Sequence, residues 1–437
     1  MGGLRSTIVL LVLLAGIGGY IYFVESKRDP AAADAKAKAF TELAADSIEE
    51  IRIKNADGEV SRVQRVGDNW QLLEPNKAAA DTGVVGTVTS NLSTLEVQRV
   101  VDENPADLKQ YGLEPARIDL SFRLKDQKDF QQLLVGEKTP TGGDMFAKRP
   151  NETRVFLVSS YLDAIFNKTS FDLRDKSVLK FDRAAADRIT VTEGASTIEF
   201  ARNGMDWRIA KPISARADYA AMEGLLTRLS STFMQKVVTP EATNLGMYGL
   251  DRPAMTAAVV GGGQTATLAL GRVEEGARFA KDSGRPEVFT VEETLFTELA
   301  KDAPDYRRKD LFDARSFTAN RIEIRRGAET LAFDKSGTGE SEMWKNAAGQ
   351  TVDLMKVEDL LSRLTNIRAV TFDDAVPASL KMPNLAVTIT YDTSKKETVT
   401  FGGSGADIVA ARADEPGSAK IDSMPYEEAI KAVDALK

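Results

Sequence analysis

The stretch VGDNWQLLEP (66–75) contains one of the three tryptophans in a chain of 437 residues. The other two are Trp207, in NGMDWRIAKP, and Trp344, in SEMWKNAAGQ. Trp70, Trp207 and Trp344 are therefore separated by 137 residues and then by 137 residues again. Equal spacing of so rare a residue indicates that one unit has been copied three times, which the flanking sequence can test.

The residues that follow each tryptophan support three copies. Residues 70–101 and 207–238 align without a gap, and ten of the 32 positions are identical. The third copy aligns after a two-residue deletion, which brings Asp353, Leu360 and Leu361 into register with the second copy. The spacing of the tryptophans therefore marks an internal repeat.

Each copy begins with alternating apolar and polar residues on either side of a glycine-containing turn. This pattern predicts a β-hairpin, since side chains alternate between the two faces of a strand. A strand that carries the tryptophan follows each hairpin. The hairpin runs are IRIKNADGEVSRVQR (51–65), RITVTEGASTIEFAR (188–202) and RIEIRRGAETLAFDK (321–335).

An aspartate follows each tryptophan strand at the position of a helix N-cap. A carboxylate there accepts hydrogen bonds from the first free amides of the helix. An apolar stripe from Met222 to Phe233 at i, i+3, i+4 and i+7 spacing predicts an amphipathic helix in copy 2. A Tyr-Gly-Leu then begins at Tyr111 and at Tyr248, whereas copy 3 has SLKMP. The three aspartates are Asp81, Asp218 and Asp353.

These patterns predict an α+β fold with an N-terminal transmembrane helix. Three tandem repeats follow, each a mixed, mainly antiparallel β-sheet with two helices. We expect repeat 1 at 46–181, repeat 2 at 182–315 and repeat 3 at 316–437. The physical domains could also be offset from the repeats, with the hairpin half of one copy packing on the strand half of its neighbour.

Residues 7–24, TIVLLVLLAGIGGYIYFV, carry no charge. Eighteen residues at about 1.5 Å each make about 27 Å of helix, close to the roughly 30 Å hydrocarbon core of a bilayer. The run ends in aromatic residues rather than a small-residue cleavage site, so we expect an uncleaved signal anchor, with a cleaved signal peptide as the alternative. Residues 1–6 are then a cytoplasmic stub and 25–45 a linker, with the bulk of the chain periplasmic.

Composition restricts the chemistry. The chain has 57 basic and 65 acidic residues, a net charge of −8, which argues against nucleic-acid binding. It has no cysteine and no histidine, which excludes disulfides, thiolate catalysis and serine–histidine–acid triads. We therefore expect no catalytic residue, metal or cofactor, and a protein that is not an enzyme.

The loop GEKTPTGGDMFAKRP (136–150) offers weak binding candidates. An anion cradle of the GxxxxGK[ST] type opens a helix, and this loop lacks both the spacing and the helix. A structural connection between strands is therefore the preferred interpretation. The candidates are Lys138, Thr139, Thr141 and Arg149.

Trp70, Trp207 and Trp344 are interpreted as core or repeat-interface anchors, because an indole buries a large apolar area at small entropy cost. A ligand groove lined by aromatic rings is the alternative. Arg174 and Arg307 occupy matching places near the ends of copies 1 and 2. We expect them to cap the preceding helix or to link one repeat to the next, with a substrate clamp as the alternative.

Two stretches, GEKTPTGGDMFAKRPNETRVFLV and FDLRDKSVLKFD, with the apolar N-terminal run and the repeated units, resemble the DUF4340 family of bacterial membrane-anchored proteins. The resemblance implies an accessory role beside an ABC transporter similar to the gliding-motility type, and no catalytic residue can be carried over. We expect a non-enzymatic periplasmic accessory or scaffold protein in the inner membrane, with ABC-type transporter subunits as partners. The alternative is an extracytoplasmic ligand-binding module for glycan or lipid.

Overall fold

The computed structural model describes residues 37–337, 339–392 and 394–436. The predicted anchor at 7–24 lies outside these residues. Among the residues that are described, no helix combines the length and apolar character needed to cross a membrane. The chain divides into two compact units, the first ending at Lys176 and the second starting at Ser177. Copy 1 belongs to the first unit, and copies 2 and 3 belong to the second.

Copy 1 contains nine strands and three helices. The strands are β1 (Ile48–Lys54), β2 (Val60–Val66), β3 (Asn69–Glu74), β4 (Ala78–Ala79), β5 (Arg99–Asp102), β6 (Ile118–Leu124), β7 (Phe130–Lys138), β8 (Asp144–Lys148) and β9 (Val155–Ser159). The helices are α1 (Thr82–Ser93), α2 (Leu162–Phe166) and α3 (Ser170–Leu173), with 3₁₀ turns at Ala45–Ser47 and Lys109–Tyr111.

Copy 2 repeats this order of elements. Its strands are β10 (Ala186–Glu193), β11 (Ser196–Asn203), β12 (Asp206–Lys211), β13 (Ala215–Arg216), β14 (Lys236–Thr239), β15 (Met255–Gly261), β16 (Gln264–Glu274), β17 (Ala277–Asp282) and β18 (Val288–Glu292). Its helices are α4 (Tyr219–Ser231), α5 (Glu293–Leu299) and α6 (Ala303–Tyr306), with a 3₁₀ turn at Leu245–Tyr248.

Copy 3 has the same strands but ends in one longer helix. Its strands are β19 (Ala319–Arg326), β20 (Glu329–Ser336), β21 (Met343–Asn346), β22 (Thr351–Val352), β23 (Ala369–Asp373), β24 (Leu385–Tyr391), β25 (Lys395–Gly402), β26 (Val409–Arg412) and β27 (Ser418–Ile421). Its helices are α7 (Leu354–Thr365) and α8 (Ser423–Asp434), with 3₁₀ turns at Gly339–Ser341 and Ala378–Leu380.

Each copy forms one nine-stranded sheet, and the three sheets have the same topology. The first has the order β4-β3-β2-β1-β6-β7-β8-β9-β5, and the other two repeat it with β10–β18 and β19–β27. Every pairing between these described strands is antiparallel. Each sheet uses strands of one copy alone, so neighbouring copies do not exchange their halves. The prediction of three α+β repeats is confirmed.

The three tryptophans occupy equivalent places. Each lies on the third strand of its copy in chain order, β3, β12 or β21. Trp70, Trp207 and Trp344 are 3 %, 4 % and 0 % exposed. A cation from the neighbouring strand lies over each indole, directly opposite in register, an arrangement that adds cation–π attraction to the burial. These cations are Arg65 at 4.8 Å, Arg202 at 6.0 Å and Lys335 at 5.8 Å from the ring centre.

The helix that follows the tryptophan strand in each copy, α1, α4 or α7, begins at the predicted aspartate. The Asp81 carboxylate accepts from the Gly83 amide at 2.9 Å, and those of Asp218 and Asp353 accept from first-turn amides at the same distance. In α4 the predicted apolar stripe is buried from Met222 to Leu229. Phe233 lies beyond the end of this helix and is 62 % exposed, so the stripe ends earlier than its spacing indicates.

The Tyr-Gly-Leu turn packs directly against a strand. Gly136 and Gly271 lie beneath it, and a Cβ there would be 2.0 Å from the Tyr111 carbonyl oxygen and 2.1 Å from that of Tyr248. Such an approach requires glycine, since a real Cβ never comes so close to an oxygen. Copy 3 keeps this close approach at Gly402 without the tyrosine.

The first copy starts earlier than composition indicates. The Ala39 amide donates to the Leu95 carbonyl at 2.7 Å, and Phe40 is buried in the core. The end of the linker predicted over 25–45 is therefore part of the fold, because Ala39 and Phe40 are buried instead of extending into solvent. The same pairing joins Val178 to Thr232 and Leu311 to Ile367 in the other two copies.

Candidate functional site

A polar cleft of about 350 Å³ lies between copies 2 and 3, inside the second unit. Copy 2 contributes the β11–β12 turn, the start of β12 and β13. Copy 3 contributes the end of β24, the start of β25 and the segment that leads into β19. Its basic side chains are Arg208, Arg216, Arg308 and Lys395. Its acidic side chains are Asp206, Asp313, Asp392 and Asp414.

A buried ion network forms one side of this cleft and joins the two copies. The Glu415 side chain is 2 % exposed and pairs with two arginines of copy 2. Arg216 Nε donates to Glu415 Oε1 at 2.6 Å, and Arg307 Nη2 donates to Oε2 at 3.0 Å. The Arg307 guanidinium also lies 4.2 Å from the centre of the Phe372 ring. Arg307 therefore links copy 2 to copy 3, one of its two predicted roles.

The network extends into copy 3 through Arg412. Its guanidinium contacts Glu397 at 2.8 Å and Asp414 at 2.9 Å, and it donates to the Leu311 carbonyl at 2.6 Å. Burial lowers the pKa of Arg412, but hydrogen bonds to the two carboxylates raise it above its ordinary value. Glu397 also accepts from the backbone amide of Asp313 at 2.9 Å. Each charge therefore has opposite charges or hydrogen-bond partners close by.

Asp313 connects the network to the cleft. Its carboxylate lies 2.6 Å from Arg216 Nη1 and 2.7 Å from Arg308 Nη1. Burial raises the pKa of Asp313, but these arginines and Arg412 together lower it below its ordinary value. A carboxylate held ionised in this way is a poor general acid near neutral pH, where that role requires a raised pKa.

Several polar groups of the cleft have no hydrogen-bond or ion-pair partner within the described part of the chain. They include the Arg208 guanidinium, the Asp206 carboxylate and the Tyr391 hydroxyl. Burial raises the pKa of Tyr391, and the carboxylates of Glu397 and Asp313 raise it further, so the phenol stays protonated. These groups face the cleft as available donors and acceptors. No group of three or more carboxylates in the described ranges is placed to hold a metal ion.

The candidates named in the 136–150 loop already have partners. Lys138 Nζ lies 2.9 Å from Asp163 Oδ2, and the Thr139 and Thr141 hydroxyls lie 3.2 Å apart within the β7–β8 turn. Arg149 donates to Glu152 at 2.7 Å. Lys138 pairs with Met145, four residues before Arg149, so about 13 Å of backbone separates the two positions along the strand. The structure does not bring them together as a cradle.

Apart from Arg307, sequence reasoning missed the residues that join the copies, although a charge reversal marked one of them. Arg149 and Arg285 each precede a proline after the eighth strand of their sheets, and copy 3 has Glu415 before the corresponding proline. A negative charge where the other copies have a positive one signals a different partner. Arg216 and Arg412 carry no comparable signal.

The fold and cleft define a protein of three duplicated α+β copies with a polar site between two of them. The family described as a domain of unknown function, DUF4340, matches residues 70–231 and 207–383. Because these matches cover most of its length, the chain belongs to this family. A search of curated proteins gives no match.

Solved structures provide only distant likenesses. A DNA polymerase sliding clamp from Pseudomonas aeruginosa with ligand is 10 % identical over 90 % of this chain and 94 % of its own, with a TM-score of 0.17. A sliding clamp (DNA polymerase III subunit beta) from the same organism bound to griselimycin is 8 % identical, again over 90 % of this chain and 94 % of its own. Its TM-score is 0.16. Likenesses at these scores carry no argument about this chain.

Proposed function

We propose that this protein is a non-enzymatic accessory or scaffold protein of an ABC-type transport complex. Residues 7–24 anchor it in the inner membrane, and the bulk of the chain lies in the periplasm. The observation that carries the proposal is the joining of two copies through the buried Glu415 network. Buried charges must keep their partners, so the network resists sliding or separation of copies 2 and 3. A rigid, repeated surface of this kind suits a protein that holds other subunits in position.

The chemistry of the cleft supports a role without catalysis. Asp313 and Asp414 are paired with arginines, and these contacts outweigh burial and lower the pKa of both carboxyls. The chain also has no histidine or cysteine that could act in their place. The excess of acidic residues favours protein partners over nucleic acid.

The anchor and the transporter partner are supported by sequence rather than by geometry. The uncharged run 7–24 has the length of a single span, and the family resemblance supplies the expected association. Affinity purification of the tagged full-length protein from gently solubilised membranes tests the association. We expect ABC transporter subunits to co-purify, and recovery of the protein alone would contradict the proposal. A C-terminal phosphatase fusion, active only after export, tests the orientation.

The cleft favours a second candidate, an extracytoplasmic module that binds a glycan or a lipid. Its volume lies within the roughly 300–1,000 Å³ typical of small-molecule sites. Thermal unfolding of the full-length protein with and without glycans and short-chain lipids tests this candidate. A ligand-specific rise in unfolding temperature supports it, and no rise with any ligand contradicts it.

A further inference from the structure

We propose that the cleft between copies 2 and 3 binds an uncharged, hydroxyl-rich ligand, a saccharide, through Arg208, Asp206 and Tyr391. This inference rests on the second candidate function above and specifies its ligand class. It is independent of any association with a transporter.

The lining of the cleft disfavours lipid chains. Eight charged side chains line it, together with polar groups such as Asn203 and Thr318. An acyl chain would remove these groups from water without offering a hydrogen bond, and uncompensated burial of polar groups is costly. A ligand that brings its own hydroxyls replaces the water and keeps the groups satisfied.

The charge balance of the cleft disfavours an ionic ligand. Four basic side chains face four acidic ones, so the cleft has no excess of either sign. Sites that attract anions present a field of one sign, and this cleft lacks such a field. Arg216, Arg308 and Lys395 are moreover paired with carboxylates, Lys395 with Asp392 at 2.9 Å. A neutral polar ligand is the class that remains.

The unpartnered side chains of Arg208, Asp206 and Tyr391 match neighbouring hydroxyls. The Arg208 guanidinium is a planar fork that can donate to two adjacent oxygens, and the Asp206 carboxylate can accept from two adjacent hydroxyls. The Tyr391 hydroxyl can both donate to and accept from a sugar hydroxyl. Asp206 and Arg208 are on β12, and Tyr391 ends β24 of the other copy, so one ligand would contact both walls.

Isothermal titration of the purified full-length protein tests the proposal. The probes are methyl α-D-glucoside, N-acetylglucosamine, maltose and chitobiose, with inorganic phosphate and dihexanoyl phosphatidylglycerol as ionic and lipid alternatives. We expect at least one saccharide to bind and both alternatives to fail. Arg208→Ala should weaken saccharide binding about tenfold or more, since it removes a charge-assisted donor pair.

Two further variants keep the result interpretable if Arg208→Ala perturbs folding. Tyr391→Phe removes one hydroxyl while keeping the ring and should weaken binding by about five- to tenfold. The matched control is Arg188→Ala, an exposed arginine on β10 outside the cleft, which should bind like the wild type. Unchanged unfolding temperatures establish that the variants are folded.

Each outcome separates this inference from the candidate it rests on. Binding of the lipid alone overturns the saccharide and leaves a ligand-binding module. Phosphate binding in place of sugar overturns it too, and identifies an anion site. Saccharide binding that is unchanged by Arg208→Ala and Tyr391→Phe places the sugar elsewhere and refutes the assignment. If none of the probes binds, the inference fails, whereas the scaffold proposal is unaffected.

Discussion

Replacing Glu415 with alanine should destabilise the second unit by about 3 kcal/mol. The change leaves the buried guanidinium groups of Arg216 and Arg307 without the carboxylate they share, at 2.6 and 3.0 Å. Breaking a buried ion pair from one side typically costs about 3–5 kcal/mol. The lower end applies because Arg216 keeps Asp313 at 2.6 Å and Arg307 keeps the Pro416 carbonyl at 3.0 Å.

Urea unfolding of the full-length protein measures this loss, with tryptophan fluorescence as the signal. In a thermal scan of the same variant, the unfolding temperature should fall by about 6–12 °C, at about 2–4 °C per kcal/mol for a unit of this size. The matched control is Glu428→Ala, which removes an exposed carboxylate that lies 2.9 Å from Arg363. That change should cost about 0.5 kcal/mol or less. Equal losses for the two variants would refute the view that the buried network holds copies 2 and 3 together.

Three further changes test single features. The folded-state pKa of Asp313 lies below its ordinary value of 3.8, so its stabilising contribution is complete above that pH and is lost as the pH falls through the folded value. The gap in unfolding free energy between wild type and Asp313→Asn should therefore shrink in acid and stay constant between about pH 5 and about pH 7; a gap that widens in acid would contradict this. Gly271→Ala should cost about 2 kcal/mol or more, because its Cβ would lie 2.1 Å from the Tyr248 oxygen. Gly224→Ala in α4, where a Cβ meets nothing within 4 Å, should instead stabilise by about 0.5–1 kcal/mol, and equal effects in urea unfolding would contradict the close packing. Asp218→Ala removes an N-cap acceptor at 2.9 Å and should cost about 1 kcal/mol in the same assay, whereas no loss would mean that the carboxylate does not stabilise the helix.

Local patterns explain why much of the fold could be predicted. Alternating residues, a capping aspartate and an apolar stripe each act over a few positions, and repetition in three copies separates them from chance. The pairing of β1 with β6 was not predictable, because it joins strands about 70 residues apart and depends on the whole copy closing. The start of copy 1 was missed because Ala39 looks like linker and is held by a backbone bond to Leu95.

The candidate site was harder to predict for the same reason. Arg307 stood out because Arg174 occupies the matching place in copy 1. Its partner Glu415 lies 108 residues further along the chain, and no local pattern connects the two. The cleft itself depends on how copies 2 and 3 meet, so Arg208 and Tyr391 were indistinguishable from surface residues in the sequence.

The margins of the three sheets have a consequence for how this protein meets others. On one side each sheet ends in a strand of two residues, such as Ala78–Ala79, and on the other in a strand of four or five. Unpaired amides along an edge strand recruit foreign strands, and shortening the edge is a natural protection. Neighbouring proteins therefore find few unpaired backbone groups to pair with at these edges. Any partner has to be recognised through side chains on faces and loops instead.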